Sequence, residues 1–580
     1  MRALVIILLL LSIGTLLTGQ EVEPEEPGIV LPPMLLEVED LQVEDVQAVL
    51  PEDELQLRPE ISIPLPDAEE LYLPEDTFDI PYPDQITAAV SLSPITTSPQ
   101  EEQIPRREIF SEGQIGVGLM SHVIGDISLF KLGQSPRFTL GFFHKKIDGY
   151  GFREAGSGYS HIDDVLDGSF AYTEIPVDFE IDGWIAEHSE GLQGRATYGS
   201  VTHRFIGGDA SFGYEFSDIF RIDANLGADY TGQVLSEVDP TEDPLSGYEL
   251  AAKTAISGSF VLGPVDLSLR TEYEFVSNLN YNDESRTLHD IAALLMISVT
   301  LPLDFVISAE GGAIWNSVST TLGQQAQSDG FIFPFALRLN GSIGTFMGFA
   351  TSGGYRREKT RYHQLWRELP LLDHQLSRRS SGAGAVEPFQ DSIGWFWQAE
   401  LLFRIARGFN VTTAIDFGLP VGAVEMDTSQ DDSTGLFGYK QSVSNPMTQL
   451  KADIALEWNI GQGFETYLSY GAEILDHQVQ DPTHEVTLGF LFDHTGGRVG
   501  AYVDATMKAF MKLGAENIIG GAESLIPFLN LGGYYRVAEG VAFSLEATDL
   551  LSPAITNGRL YWPPYFAPGL QIVVKTQISL

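Results

Sequence analysis

The 580-residue chain contains no cysteine. Disulfides, thiolate metal sites, cysteine nucleophiles and lipid attachment through an N-terminal cysteine are therefore excluded. Basic residues are scarce: 33 Lys and Arg stand against 80 Asp and Glu, a formal charge of −47. Nucleic-acid binding needs a basic surface, so no such partner is expected. Beyond its first twenty residues the chain lacks an uninterrupted run of about 18 apolar residues, the length of a membrane-spanning helix. The longest approach, 291–307, is cut by Pro302 and Asp304. No Gly-rich phosphate loop, HExxH or GxSxG is present, and the 11 histidines are scattered. No Ser/His/acid arrangement is singled out, so neither catalysis nor a cofactor is expected.

What is present divides into three regions. Arg2, the apolar run Ala3–Leu17 and the small pair Thr18-Gly19 read as a signal peptide over residues 1–19. Residues 20–108 form the second region. Its stretch from Gln20 to Pro105 holds 14 of the 31 prolines and 22 acidic residues against one base, Arg58. Proline blocks helix and sheet interiors and like charges repel, so an extended, largely disordered periplasmic arm is expected.

Residues 109–580 have a different texture. Glycine is abundant there, and stretches alternate strictly between apolar and polar residues. In RIDANLGADY, Ile222, Ala224, Leu226, Ala228 and Tyr230 oppose Arg221, Asp223, Asn225, Gly227 and Asp229. The last residues behave alike: Ile572, Val574, Thr576, Ile578 and Leu580 lie opposite Gln571, Val573, Lys575, Gln577 and Ser579. Such alternation marks strands with one face in water and one in an apolar medium.

Ten tight turns punctuate this region, among them Glu174–Pro176, Gly263–Pro264, Gly461–Gly463 and Val537–Gly540. Eleven longer polar connections alternate with them, including 147–161, 187–205, 356–392 and 424–445. Ten short turns and eleven long loops join 22 strands. Short connections on one side and long ones on the other is the pattern of an outer-membrane barrel. The fold class expected is all-β: a transmembrane antiparallel barrel of about 22 strands. A barrel has no free edges, so the final strand should pair with the first, near Gln114–Met120. Trp184, Trp315, Trp395, Trp397, Trp458 and Trp562 fall where interface girdles would put many of them.

The chain's end resembles that of TonB-dependent receptors of the outer membrane. The matching residues are Glu546–Leu551 (EATDLL), Tyr561, Tyr565, Pro568-Gly569 and the strand to Leu580. Asp549 stands where Asn is usual, Leu570 where Arg is usual and Leu580 where Phe is usual. The resemblance covers the barrel half alone; the family's plug domain has no counterpart in the Pro-rich arm. It implies a gated transporter or receptor, an energy-transducing periplasmic partner, and an energy-coupling segment for which Gly28, Ile29, Val30 and Leu31 are the candidate. An open diffusive porin, and a structural barrel holding a periplasmic partner, remain as alternatives.

One connection breaks the acidic character. Arg356, Arg357, Lys359, Arg361, Arg367, Arg378 and Arg379 cluster between Tyr355 and Ser392, together with Trp366. Arginine clusters recognise carboxylate and phosphate groups. This loop either lies outside, binding lipopolysaccharide or nothing in particular, or folds into the lumen, where it would constrict the pore, hold an anionic ligand or pair with the acidic arm. Asp431 and Asp432 are candidates for calcium; the alternative is an exposed turn.

Overall fold

The computed structural model describes residues 109–580, apart from stretches within connections (132–134, 151–152, 238–243, 282, 303–304, 322–325, 375–376, 380–385, 389–390, 431–433, 442–445, 462, 476–483, 495, 511–523, 555–559 and 563–564). The expected signal peptide and acidic arm lie outside the described residues. So do the candidates Gly28, Ile29, Val30, Leu31, Asp431 and Asp432.

The described chain is a closed antiparallel barrel of 22 strand positions. Each position pairs with its chain neighbours, and Phe110–Gly118 pairs with Gln571–Ser579 to close the ring. The closing register runs from Glu112 opposite Ser579 to Gly118 opposite Val573. At its end Ser111 and Leu580 exchange backbone hydrogen bonds of 3.2 and 2.8 Å. One position is filled by two segments, Ala326–Ile332 and Phe335–Ile343, both paired with Phe305–Thr320. The break falls at Pro334, which has no N–H to give to a ladder.

Alternation sends the apolar residues outward. Ile115, Val117, Leu226 and Val574 are 65%, 62%, 56% and 52% exposed, far beyond what a water-facing sheet tolerates as a continuous belt. The opposite face carries ion pairs, such as Lys575–Glu546 at 2.6 Å and Arg221–Asp178 at 2.5 Å. A ring with an apolar outside and a charged inside suits lipid around it and water within it. Trp395, Trp397 and Trp458 are on the outer face, as expected of a girdle. Trp184 is not: its strand position turns it to the lumen, where its ring stands 6.4 Å from that of His363.

Short connections close one end, at the anticipated places. Gly540 shows why glycine is needed there. Its φ is +77°, and a Cβ would lie 2.4 Å from the Ser579 carbonyl oxygen. Asp549 has a φ of 53° and takes the Asn530 side-chain oxygen on its N–H at 2.9 Å. Asn and Asp enter this left-handed region most readily, which explains why Asp can stand where Asn is usual.

The long-loop side departs from expectation in one respect. Residues 187–205 were expected to be a connection, but Val177–Gly191 and Tyr198–Ser217 leave only 192–197 between them. These strands are 15 and 20 residues long, and a bilayer needs about 9–11. Strand that rises above lipid no longer needs an apolar outer face, so its sequence reads as polar loop.

Candidate functional site

The connection between strands Met347–Glu358 and Ser392–Ala406 turns back against the inner wall. It carries helix α1, Tyr362–Glu368. Tyr362 and Trp366 are one turn apart, so both project from one stripe. Each is 1% exposed, and their rings pack at 4.7 Å. They meet Val201, Phe205 and Leu235, which all belong to the face opposite the lipid-facing Ile206 and Tyr230. The helix therefore lies inside the barrel.

Other connections join the same apolar cluster. Leu192 comes from the 192–197 link, Leu436 and Phe437 from the connection after Phe409–Val421, and Tyr565 from the one before the last strand. The Tyr565 hydroxyl donates to the Gly435 carbonyl at 2.6 Å, and Gln193 exchanges hydrogen bonds of 2.9 Å with the Phe566 backbone. Links from well-separated points of the ring can share one buried cluster only by converging over the opening. They make a cap across the mouth.

Polar contacts fasten this cap to the wall. Glu249 accepts the Tyr362 N–H at 3.1 Å, serving the helix start in place of a local cap, while Asn278 holds its other oxygen at 2.7 Å. Gln233 donates to the Leu372 carbonyl at 2.8 Å and accepts the His374 N–H at 3.2 Å. Tyr281 donates to Asp373 at 2.8 Å.

The predicted basic residues take several positions. Arg357 is buried between Asp290, at 3.0 Å, and Asp391. Lys359 and Arg361 both pair with Glu274, the latter at 3.0 Å. Burial opposes charge on Arg361, but Asp391 and Glu274 more than compensate and hold its proton above the ordinary arginine range. Burial would lift Asp391; Arg361 and Arg357 keep it below the usual carboxylate range. Arg356 pairs with Glu358 and lies over the Phe396 ring, 4.4 Å from its centroid. Arg367 lies over Phe205 at 5.4 Å. Arg378 and Arg379 sit in a hairpin outside the barrel sheet, Ser377–Arg379 against Val386–Pro388. The structure thus joins Arg357, Lys359 and Arg361 through Asp391 of the connection and Glu274 of the wall, and the backbone of Arg378 and Arg379 belongs to a separate two-stranded sheet.

Two cap histidines are kept neutral. Burial pushes His374 down to about 3. Burial, then the nearby Arg367 charge, pushes His363 down to about 4.

Sequence reasoning missed a second grouping. His161 and Asp163, two apart on strand Ser160–Glu174, stand beside His188 and Glu190, two apart on Val177–Gly191. The register pairs His161 with Glu190 and Asp163 with His188. The signal was an H-x-D and an H-x-E, each with the spacing that puts both residues on one strand face. It was hidden because His161, His188 and Glu190 fall in stretches that read as loop.

Among solved structures, the chain resembles the copper transporter OprC, with 10% identity, 81% of this chain and 80% of that one covered, and a TM-score of 0.61. The FrpB iron transporter of Neisseria meningitidis (F5-1 variant) matches at 8% identity, 82% of each chain and 0.61. The ferric-catecholate import receptor Fiu of E. coli K12 matches at 11%, 82% of each chain and 0.56. No family model and no curated protein matches the sequence. The fold is the barrel anticipated in the sequence, the 22-stranded fold of TonB-dependent receptors.

Proposed function

We propose that this barrel is a gated outer-membrane transporter of the TonB-dependent-receptor type, closed at its outer mouth by its own connections. The observation that carries this reading is the cap. A diffusive porin has no use for a buried aromatic cluster and ion-paired arginines across its opening, since each costs ordering entropy without aiding passage. The lumen below is polar. A cavity of about 400 Å³ lies there, lined by Asp182, Asp209, Lys253, Arg270, Glu272 and Lys359 among others. That lining suits a hydrophilic solute. The structural neighbours, a copper transporter, an iron transporter and a ferric-catecholate import receptor, support transport over catalysis or anchoring.

In this reading Arg357, Lys359 and Arg361 are latch residues, already neutralised by Asp290, Glu274 and Asp391, and not a free anion site. Arg378 and Arg379 remain candidates for contact with a ligand or with lipopolysaccharide. Residues 20–108, with Gly28, Ile29, Val30 and Leu31, are the proposed contact for an energy-transducing partner.

Liposome swelling tests the proposal. Vesicles holding the full-length protein should not swell in small sugars, and vesicles holding protein without Gln20–Pro105 should not swell either, because the cap is intact in both. Swelling that slows with increasing sugar size in full-length vesicles would identify an open porin.

A further inference from the structure

The four side chains of the His161 grouping form a two-by-two array on the lumen wall. Strand period 2 puts His161 over Asp163 and His188 over Glu190 on one face. The antiparallel register then sets each histidine beside an acid of the neighbouring strand. Every carboxylate faces two rings. Asp163 meets His161 Nε2 at 2.6 Å and His188 Nδ1 at 2.5 Å. Glu190 Oε1 meets His161 Nδ1 at 2.7 Å and stands 3.4 Å from His188 Nε2. The two rings are 5.0 Å apart and cross at 77°.

This arrangement has the properties of a metal site. One ligand atom each from His161, Asp163 and His188 lies within 4.8 Å of the others. Donors about 2.0–2.2 Å from a tetrahedral ion lie roughly 3.4 Å apart, so His161 Nε2, His188 Nδ1 and Asp163, with water in the fourth position, can bracket one ion, while Glu190 faces the opposite nitrogen of each ring and orients it from behind. The Tyr150 hydroxyl reaches the other Glu190 oxygen at 3.4 Å, an outer contact that leaves Oε1 for the array. Side-chain exposures of 11–25% leave the array open to lumen water while holding its rings in place.

The donor set selects the kind of ion. Two imidazoles and one carboxylate suit first-row divalent ions such as Zn²⁺, Co²⁺ and Ni²⁺. Calcium prefers six to eight oxygens, and magnesium a near-octahedral oxygen shell. With no cysteine in the chain, a thiolate site for a softer ion is excluded.

We infer that His161, Asp163 and His188 bind one divalent first-row transition-metal ion on the lumen wall, with Glu190 orienting both rings from their other nitrogens. The inference goes beyond the transport proposal and stands whether the barrel is a transporter, a porin or an anchor, because it concerns binding alone.

The test uses full-length protein in detergent, stripped by chelation and then titrated with Zn²⁺ against a chromogenic chelator. One equivalent should bind, undisturbed by excess Mg²⁺ or Ca²⁺. Co²⁺ in its place should give the intense visible bands of a four-coordinate site. The His161→Ala/His188→Ala double variant should lose affinity by about 100-fold or more, and Asp163→Asn by about 10- to 100-fold. His494→Ala, in a short turn at the opposite end, should bind as the parent does. Heat-modifiable gel migration checks that each variant is a folded barrel; if the double variant is not, Asp163→Asn decides. Failure of the parent to bind Zn²⁺, or parent-like binding by the folded double variant or by Asp163→Asn, would overturn the inference.

Discussion

Replacing Arg357 with alanine should release the cap. Its guanidinium lies between Asp290 on the wall and Asp391 at the far end of the connection, and the three side chains are 2–4% exposed. Removing one member of a buried ion pair costs about 3–5 kcal/mol, because the remaining charge stays buried without compensation. Two carboxylates are left here, which raises the cost. Arg361, 3.7 Å from Asp391, offsets part of it. Taking the lower half of the range, cap opening becomes easier by on the order of 10²- to 10³-fold at 1.4 kcal/mol per decade. Hydrogen–deuterium exchange of peptides covering 359–374 reads this directly, with the strand Val265–Leu279 as an internal reference. Its protection should not change. A companion variant, Arg357→Met with Asp290→Asn and Asp391→Asn, removes all three charges and should recover most of the protection. Unchanged exchange of the cap in Arg357→Ala would refute the latch assignment.

Acidification should loosen the same region. His363 and His374 are held near 4 and 3 in the packed cap, against an ordinary value near 6.5. The released cap therefore binds more protons between about pH 6.5 and 4, and linkage makes the packed form lose stability as pH falls through that window. Exchange at pH 5 should exceed that at pH 7 after correction for the intrinsic rate, and His374→Phe should blunt the difference. On the barrel wall, Leu226→Lys should destabilise against urea by about 2–4 kcal/mol in lipid, while Asn225→Lys on the inner face should cost little; equal effects would contradict the facing of that strand. At the seam, a Cβ on Gly118 would lie 2.3 Å from the Ile572 carbonyl oxygen. Gly118→Val should therefore lower the yield of heat-modifiable barrel, and a normal yield would mean the ends do not close in this register.

The barrel was legible in the sequence because lipid imposes a rule that every spanning residue obeys. Leu226 must face out and Asn225 in, so strict alternation and turn glycines such as Gly540 suffice to count strands. The cap was less legible. The arginines from 356 to 379 stood out in an acidic chain, but their partners Asp290, Glu274 and Glu249 lie on distant strands and look like any lumen acids. Above the membrane the rule lapses. His161, His188, Glu190 and His203 sit on strand that the alternation criterion reads as loop, so their shared face could not be recognised. Trp184 leaves the girdle for a related reason: the residue type favours an interface, but position in the pleat decides the side.

In the proposed function, the chain's own connections close the outer mouth. Single-channel recording in planar bilayers tests it, comparing full-length protein with a variant in which 360–373 is replaced by a short Gly-Ser link. The parent should stay closed and the variant should show large, long-lived openings, on the nanosiemens scale roughly expected of an unobstructed 22-stranded barrel. A parent that conducts steadily, or a folded variant that stays as silent as the parent, would contradict it.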